Sequence, residues 1–169
     1  MSLSMYDLTI PVMLRSIDIL IIYMDKAEHY AEEKGIAPEV LINARLAPDM
    51  LPLSGQIQRF SDNCKGSLAR LAAIEAPSLA DDETSFVELK ERLEKTAVFL
   101  KTIKPEQLAG SENHLIELKL RGFSTTLSGK AYLLSMVLPN IFFHMTTTHD
   151  ILRHNGMNIG KLDYLGNFN

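Results

Sequence analysis

The stretch from Leu53 to Leu71 constrains the fold more than any other. Leu53, Ile57, Phe60, Cys64, Leu68 and Leu71 step by four, three, four, four and three. Residues so spaced share one helix face, and a stripe this narrow is the seam packed in antiparallel bundles. The seam predicts a helix over 52–74, and the rest of the chain offers it partners. Ile10, Ile17, Leu20, Ile21, Met24, Ala27 and Ala31 recur at helical spacing and predict a helix over 11–34. Pro11 suits its first turn and Gly35 its end. Asp25, Glu28, Glu32 and Glu33 form its solvated side. Pro38 opens a short helix over 39–43. Ser85 and Glu88 have capping-box spacing and start a third long helix over 86–104, which buries Phe86, Leu89, Leu93, Ala97 and Leu100.

The helical rhythm then stops. Residues 115–120 (LIELKL) alternate in part by two, Arg121-Gly122 makes a turn, and 123–127 (FSTTL) favours strand. A small β-hairpin is expected there. A last helix follows over 129–155, with a kink or break expected at Pro139, which cannot donate to the helix ladder. Leu134, Val137, Ile141, Met145, Thr148 and Leu152 make its core stripe, and Leu162, Tyr164 and Leu165 of the tail pack back on the bundle. The chain therefore reads as one domain over 1–169: an all-α four-helix bundle with a β-hairpin and a long connection before the last helix.

With 169 residues, 46% of them apolar and 22% charged, the chain has an ordinary globular balance. A net charge of -4 gives no reason to expect nucleic-acid binding, which needs a basic face, though it leaves room for a local basic patch. The single cysteine, Cys64, excludes an internal disulfide and reads as a small buried apolar residue. The apolar start, 10–24, is interrupted by Arg15 and Asp18, and its uncharged run 19–24 is far shorter than the roughly 20 residues a membrane span needs. A soluble cytoplasmic protein is expected. No Gly-rich phosphate loop, serine elbow, HExxH or CxxC motif occurs.

The chemistry concentrates in the last helix, where His144, His149, Asp150 and His154 fall within eleven residues. Asp150 and His154 are four apart and share a face. They read as a surface ion pair closing the helix or as two metal ligands. Helical phase points them away from the core stripe. His144 flanks that stripe and reads either as a core-edge histidine bonded to a neighbour or as a general base lining a pocket. His149 suits the core edge or a subunit interface. Thr146, Thr147 and Thr148 can bond back to helix carbonyls and bend the helix, or line a pocket with hydroxyls.

The order of elements, with the segments NARLAPDMLPLSGQIQ, YLLSMVLPNIFFH, FFHMTTTHDILRHNG and GKLDYLG, resembles the DinB/YfiT-like superfamily of metalloenzymes. Within it the chain is most similar to a bacterial branch known as a domain of unknown function. The resemblance implies an up-down-down-up bundle. It also implies a divalent metal (Zn, Ni or Fe) held by one ligand from the second long helix and an i, i+4 pair on the last. Carried over, the pair falls on Asp150 and His154. The second long helix has no histidine, so Asp62 is the anionic candidate there, with Gln56 and Asn63 the other polar residues near the seam. A metal-dependent thiol transferase or hydrolase acting on a small molecule would follow, with His144 as catalytic residue. The alternative is a metal-free binding or structural homodimer with a degenerate site.

Overall fold

The computed structural model describes residues 3–120 and 122–167, apart from the side chains of Leu120 and Phe123. Its long helices are α1 (Ile10–Lys34), α3 (Leu53–Ala72), α4 (Phe86–Thr102) and α7 (Leu138–His154). Shorter ones are α2 (Pro38–Ile42), α5 (Pro105–Leu108), α6 (Gly129–Tyr132) and α8 (Lys161–Leu165). Strands β1 (Leu115–Leu120) and β2 (Phe123–Ser128) form an antiparallel hairpin in which Leu115 faces Ser128 and Leu120 faces Phe123. Gly122 supplies the positive φ of the turn. Its expected companion, Arg121, lies outside the described residues.

The seam predicted on α3 is the centre of the core: Leu53, Ile57, Phe60, Cys64, Leu68 and Leu71 are all fully buried. Burying a side chain of this kind stabilises the fold by roughly 1.5–3 kcal/mol. The capping box forms as expected. Ser85 Oγ accepts from the Glu88 N–H at 3.2 Å, and Glu88 Oε2 accepts from the Ser85 N–H at 2.9 Å. Gly35 ends α1 in the left-handed conformation, and the Ile36 N–H reaches back to Ala31 O.

Packing runs α1 on α4, α4 on α3, α3 on α7, with α7 returning to α1. Tyr23 meets His149 and Tyr30 meets Asn155, so α1 and α7 run the same way. Gln56 meets His144 while Arg70 meets Tyr132, so α3 runs against them. The segment 73–85 then doubles back along α3, where Arg59 pairs with Asp81 and Gln58 Nε2 donates to Glu83 Oε2 at 2.9 Å. α4 therefore restarts parallel to α3, which produces the up-down-down-up order. The reversal sits in this second connection as much as in the hairpin-bearing third.

Arg92 holds that returning segment. It is 1% exposed and donates to Ala80 O and Glu83 Oε1 at 2.7 Å each and to Asp62 Oδ1 at 2.9 Å.

The last helix differs from expectation at Pro139. It neither breaks nor simply kinks. A π-helical turn over Leu133–Val137 precedes the proline, and the Leu138 N–H bonds Leu133 O. The extra residue absorbs the missing proline N–H while the helix continues over 129–154. The phase shifts with it: Leu134 is 49% exposed rather than in the core. Leu162 is exposed too, whereas Tyr164 packs on the bundle. Among the described residues no helix is long and apolar enough to cross a membrane.

Candidate functional site

Three polar pairs join α3 to the last helix. Gln56 meets His144, Asn63 Oδ1 accepts from Asn140 Nδ2 at 2.8 Å, and Arg70 Nη1 donates to the Tyr132 hydroxyl at 3.2 Å. The first pair is buried, with Gln56 1% and His144 9% exposed.

Local sequence places both residues. Gln56 lies three residues after Leu53 and four before Phe60, so the seam carries it inward. His144 lies three after Ile141 and four before Thr148, the same position on its own stripe. Thr148 Oγ1 donates back to His144 O at 2.9 Å. Phe143 stands edge-on to the imidazole with ring centroids 5.3 Å apart.

The hydrogen bonds determine the tautomer. Gln56 Nε2 donates to Leu51 O at 3.0 Å, which orients the amide and turns Oε1 toward the imidazole. Gln56 Oε1 and His144 Nδ1 are 2.7 Å apart, and an amide oxygen can only accept. The ring proton therefore sits on Nδ1, and Nε2 carries a lone pair. Among the described residues the one buried side-chain polar atom without a partner is Arg92 Nε. Among the described residues no hydrogen-bond partner stands against His144 Nε2, which leaves its lone pair unused. Burial, and secondarily the Arg59 charge, push the imidazole below its ordinary value of 6.5. It is neutral at pH 7.

The other expected residues do not join it. Asp62 accepts from Arg92 and Lys65 at 2.9 Å each and pairs with Arg59 at 3.1 Å, facing α4 and the returning segment. Asp150 is half-buried and His154 exposed on α7. They form no ion pair with each other, and Asn155 Nδ2 closes the helix end instead by donating to Ile151 O at 2.7 Å. Asn63, beside Asp62, is level with Asn140, ten residues before Asp150. At 1.5 Å per residue that is about 15 Å along the helix, too far for a shared ion. Among the described residues no group of three or more His, Cys, Asp or Glu could hold a metal. The His144 imidazole and the Gln56 amide do not make the three or four strong ligands a transition metal takes.

Two remaining residues are structural. His149 Nδ1 lies 2.7 Å from the Tyr23 hydroxyl, and Tyr164 approaches its ring edge-on. The Cys64 thiol is fully buried, and burial raises it far above the ordinary range.

Residues 5–165 match the family model described as a domain of unknown function, DUF1993. The chain belongs to this family. The DUF1993 chain is also similar to a DinB family member protein of known crystal structure from Shewanella denitrificans. The two are 35% identical over 96% of this chain and 92% of that one, with a TM-score of 0.90. No curated protein matches the chain. The expected DinB-like bundle and domain-of-unknown-function branch are thus shown. Asp62, the anionic candidate, faces Arg92 in this DUF1993 chain, and the α3 residue that meets His144 is the uncharged Gln56. Its place within the seam was the available signal.

Proposed function

We propose that this DUF1993 protein binds a small polar molecule on the α3–α7 seam and takes a proton from it through His144. One observation carries the reading: a buried imidazole has its proton fixed on Nδ1 by Gln56 and its Nε2 lone pair without a partner among the described residues. A general base needs a neutral imidazole with a defined free lone pair. The lowered pKa keeps it in that form at pH 7, and the Gln56–Leu51 bond keeps it aimed. Such a base suits removing the proton of a thiol or water as it attacks, the chemistry of a thiol transferase or hydrolase. Asp150 and His154 take no part in this reading, and Asp62 acts as an anchor for α4.

The test is a fragment screen by thermal shift, run on the wild type and on His144→Gln across pH 5.5–8. Hits that need His144 and weaken as it protonates support the reading. Hits that ignore the substitution sink it.

A homodimer is the second part of the proposal. Leu134, Phe142 and Phe143 are exposed on the last helix, with Phe143 at 54%, and an outward apolar stripe of this kind suits a second copy. Light scattering on the wild type and on Phe142→Ser/Phe143→Ser decides it, since a wild-type monomer removes the idea.

A further inference from the structure

The same seam opens, beyond His144, into a cleft of about 340 Å³ between α3, β1 and the π-helical turn. That is within the size range of small-molecule sites, at the lower end. Its charges are unequally satisfied. Asp62, on one wall, already faces Arg59, Lys65 and Arg92, and Arg59 faces Asp62 and Asp81. Arg70 has a different situation. Its one hydrogen-bond partner among the described residues is the neutral Tyr132 hydroxyl, and it pairs with no carboxylate. Lys119 lines the cleft and likewise pairs with no carboxylate among the described residues, while Glu117 is the one lining acid outside the Asp62 network. Arg70 and Lys119 against Glu117 leave a surplus of one positive charge.

The hydrogen-bonding capacity points the same way. Tyr132 accepts from Arg70, so its own O–H is left to donate. Arg70 keeps further N–H groups of its planar fork. A fork beside a hydroxyl donor matches the two oxygens of a carboxylate, the geometry in which arginine binds in bidentate fashion. Met136, half-buried, and Leu118, nearly buried at 5% exposure, line the same cleft and make its apolar part.

We propose that the α3–β1 cleft is a binding site for a small organic carboxylate, anchored by Arg70 and Tyr132 with its apolar body against Leu118 and Met136. The site rests on the preceding reading only in using the same seam. Arg70 lies fourteen positions beyond Gln56 on α3, about 21 Å along the helix, so the anchor works independently of His144.

Benzoate is the probe, with benzamide as its neutral isostere and inorganic phosphate as an anion without an apolar body. Binding is followed by chemical-shift changes in ¹⁵N-labelled full-length protein. The expected result is benzoate binding that shifts the Arg70 side-chain N–H signal, with benzamide and phosphate far weaker. Arg70→Gln weakens benzoate by about tenfold or more and Tyr132→Phe by several-fold, the loss expected for hydrogen bonds to a charged group. Arg70→Lys recovers part of it, and His144→Gln leaves it unchanged. No benzoate binding to the wild type, or binding indifferent to Arg70→Gln in a protein whose spectrum shows it folded, overturns the site. Phosphate binding as tightly as benzoate overturns the carboxylate assignment. A His144→Gln effect on the fragment hits alone, with none on benzoate, leaves each reading judged by its own variant.

Discussion

Gln56 Oε1 lies 2.7 Å from His144 Nδ1 although the two residues are 88 positions apart. This contact joins α3 to the last helix and decides which imidazole nitrogen carries the proton. Gln56→Leu removes the acceptor but keeps the bulk. The unpaired Nδ1–H then costs about 1–3 kcal/mol, read by urea denaturation. ¹⁵N shifts of His144 should show loss of the Nδ1–H preference. A variant with unchanged tautomer means that Gln56 does not set it.

Replacing Gln56 with glutamate reverses the electrostatics. A carboxylate facing Nδ1–H favours the imidazolium, so Gln56→Glu should raise the His144 midpoint above that of the wild type. An NMR titration of the ring protons checks this, and a midpoint that stays or falls contradicts the geometry.

Stability should depend on pH through the same residue. His144 is lowered from 6.5 in the folded state, so the unfolded chain binds its proton first as pH falls. Between 6.5 and the lower folded value the unfolded state holds more protons, and stability falls with falling pH. Above 6.5 this contribution is fully present. Denaturation midpoints at pH 7.5 and 5.5 should differ in the wild type and converge in His144→Gln. Equal pH dependence in both proteins assigns the effect elsewhere.

Arg92→Met tests the returning segment. It leaves the buried Glu83 without a counter-charge, held only by the Gln58 amide, while Asp62 and Asp81, 29% and 43% exposed, keep Arg59 and Lys65 as partners. The loss should be about 3 kcal/mol, the low end for breaking a buried ion pair. A loss under about 1 kcal/mol shows the segment is held by other contacts.

Gly129 begins the last helix against the backbone. A Cβ there would stand 1.9 Å from Ser111 O, and the Gly129 N–H bonds His114 O at 2.8 Å. Gly129→Ala should cost at least about 2 kcal/mol by overpacking. Its melting temperature is the measurement, and an unchanged value places the start of α6 further from Ser111.

Much of the bundle was legible because its signals are local. The α3 seam, the Ser85–Glu88 cap, the Gly35 stop and the hairpin each depend on residues a few positions apart, and each stands where its spacing put it. The π-helical turn was not legible, because Pro139 states only that an N–H is missing. Whether the helix breaks, kinks or inserts a residue depends on packing against α3. The same applies to Leu134, whose exposure follows from that inserted residue.

The sequence by itself determined the four long helices, most of their buried faces and the presence of His144 on one of them, since period and polarity are carried by neighbours along the chain. Tertiary structure alone decided which polar groups meet. Register between α3 and α7 put Gln56 rather than Asp62 against His144, and the doubling back of 73–85 turned Asp62 toward Arg92. Hydrogen bonds act over about 3 Å, so partners distant in sequence are chosen by helix packing, which no local pattern encodes.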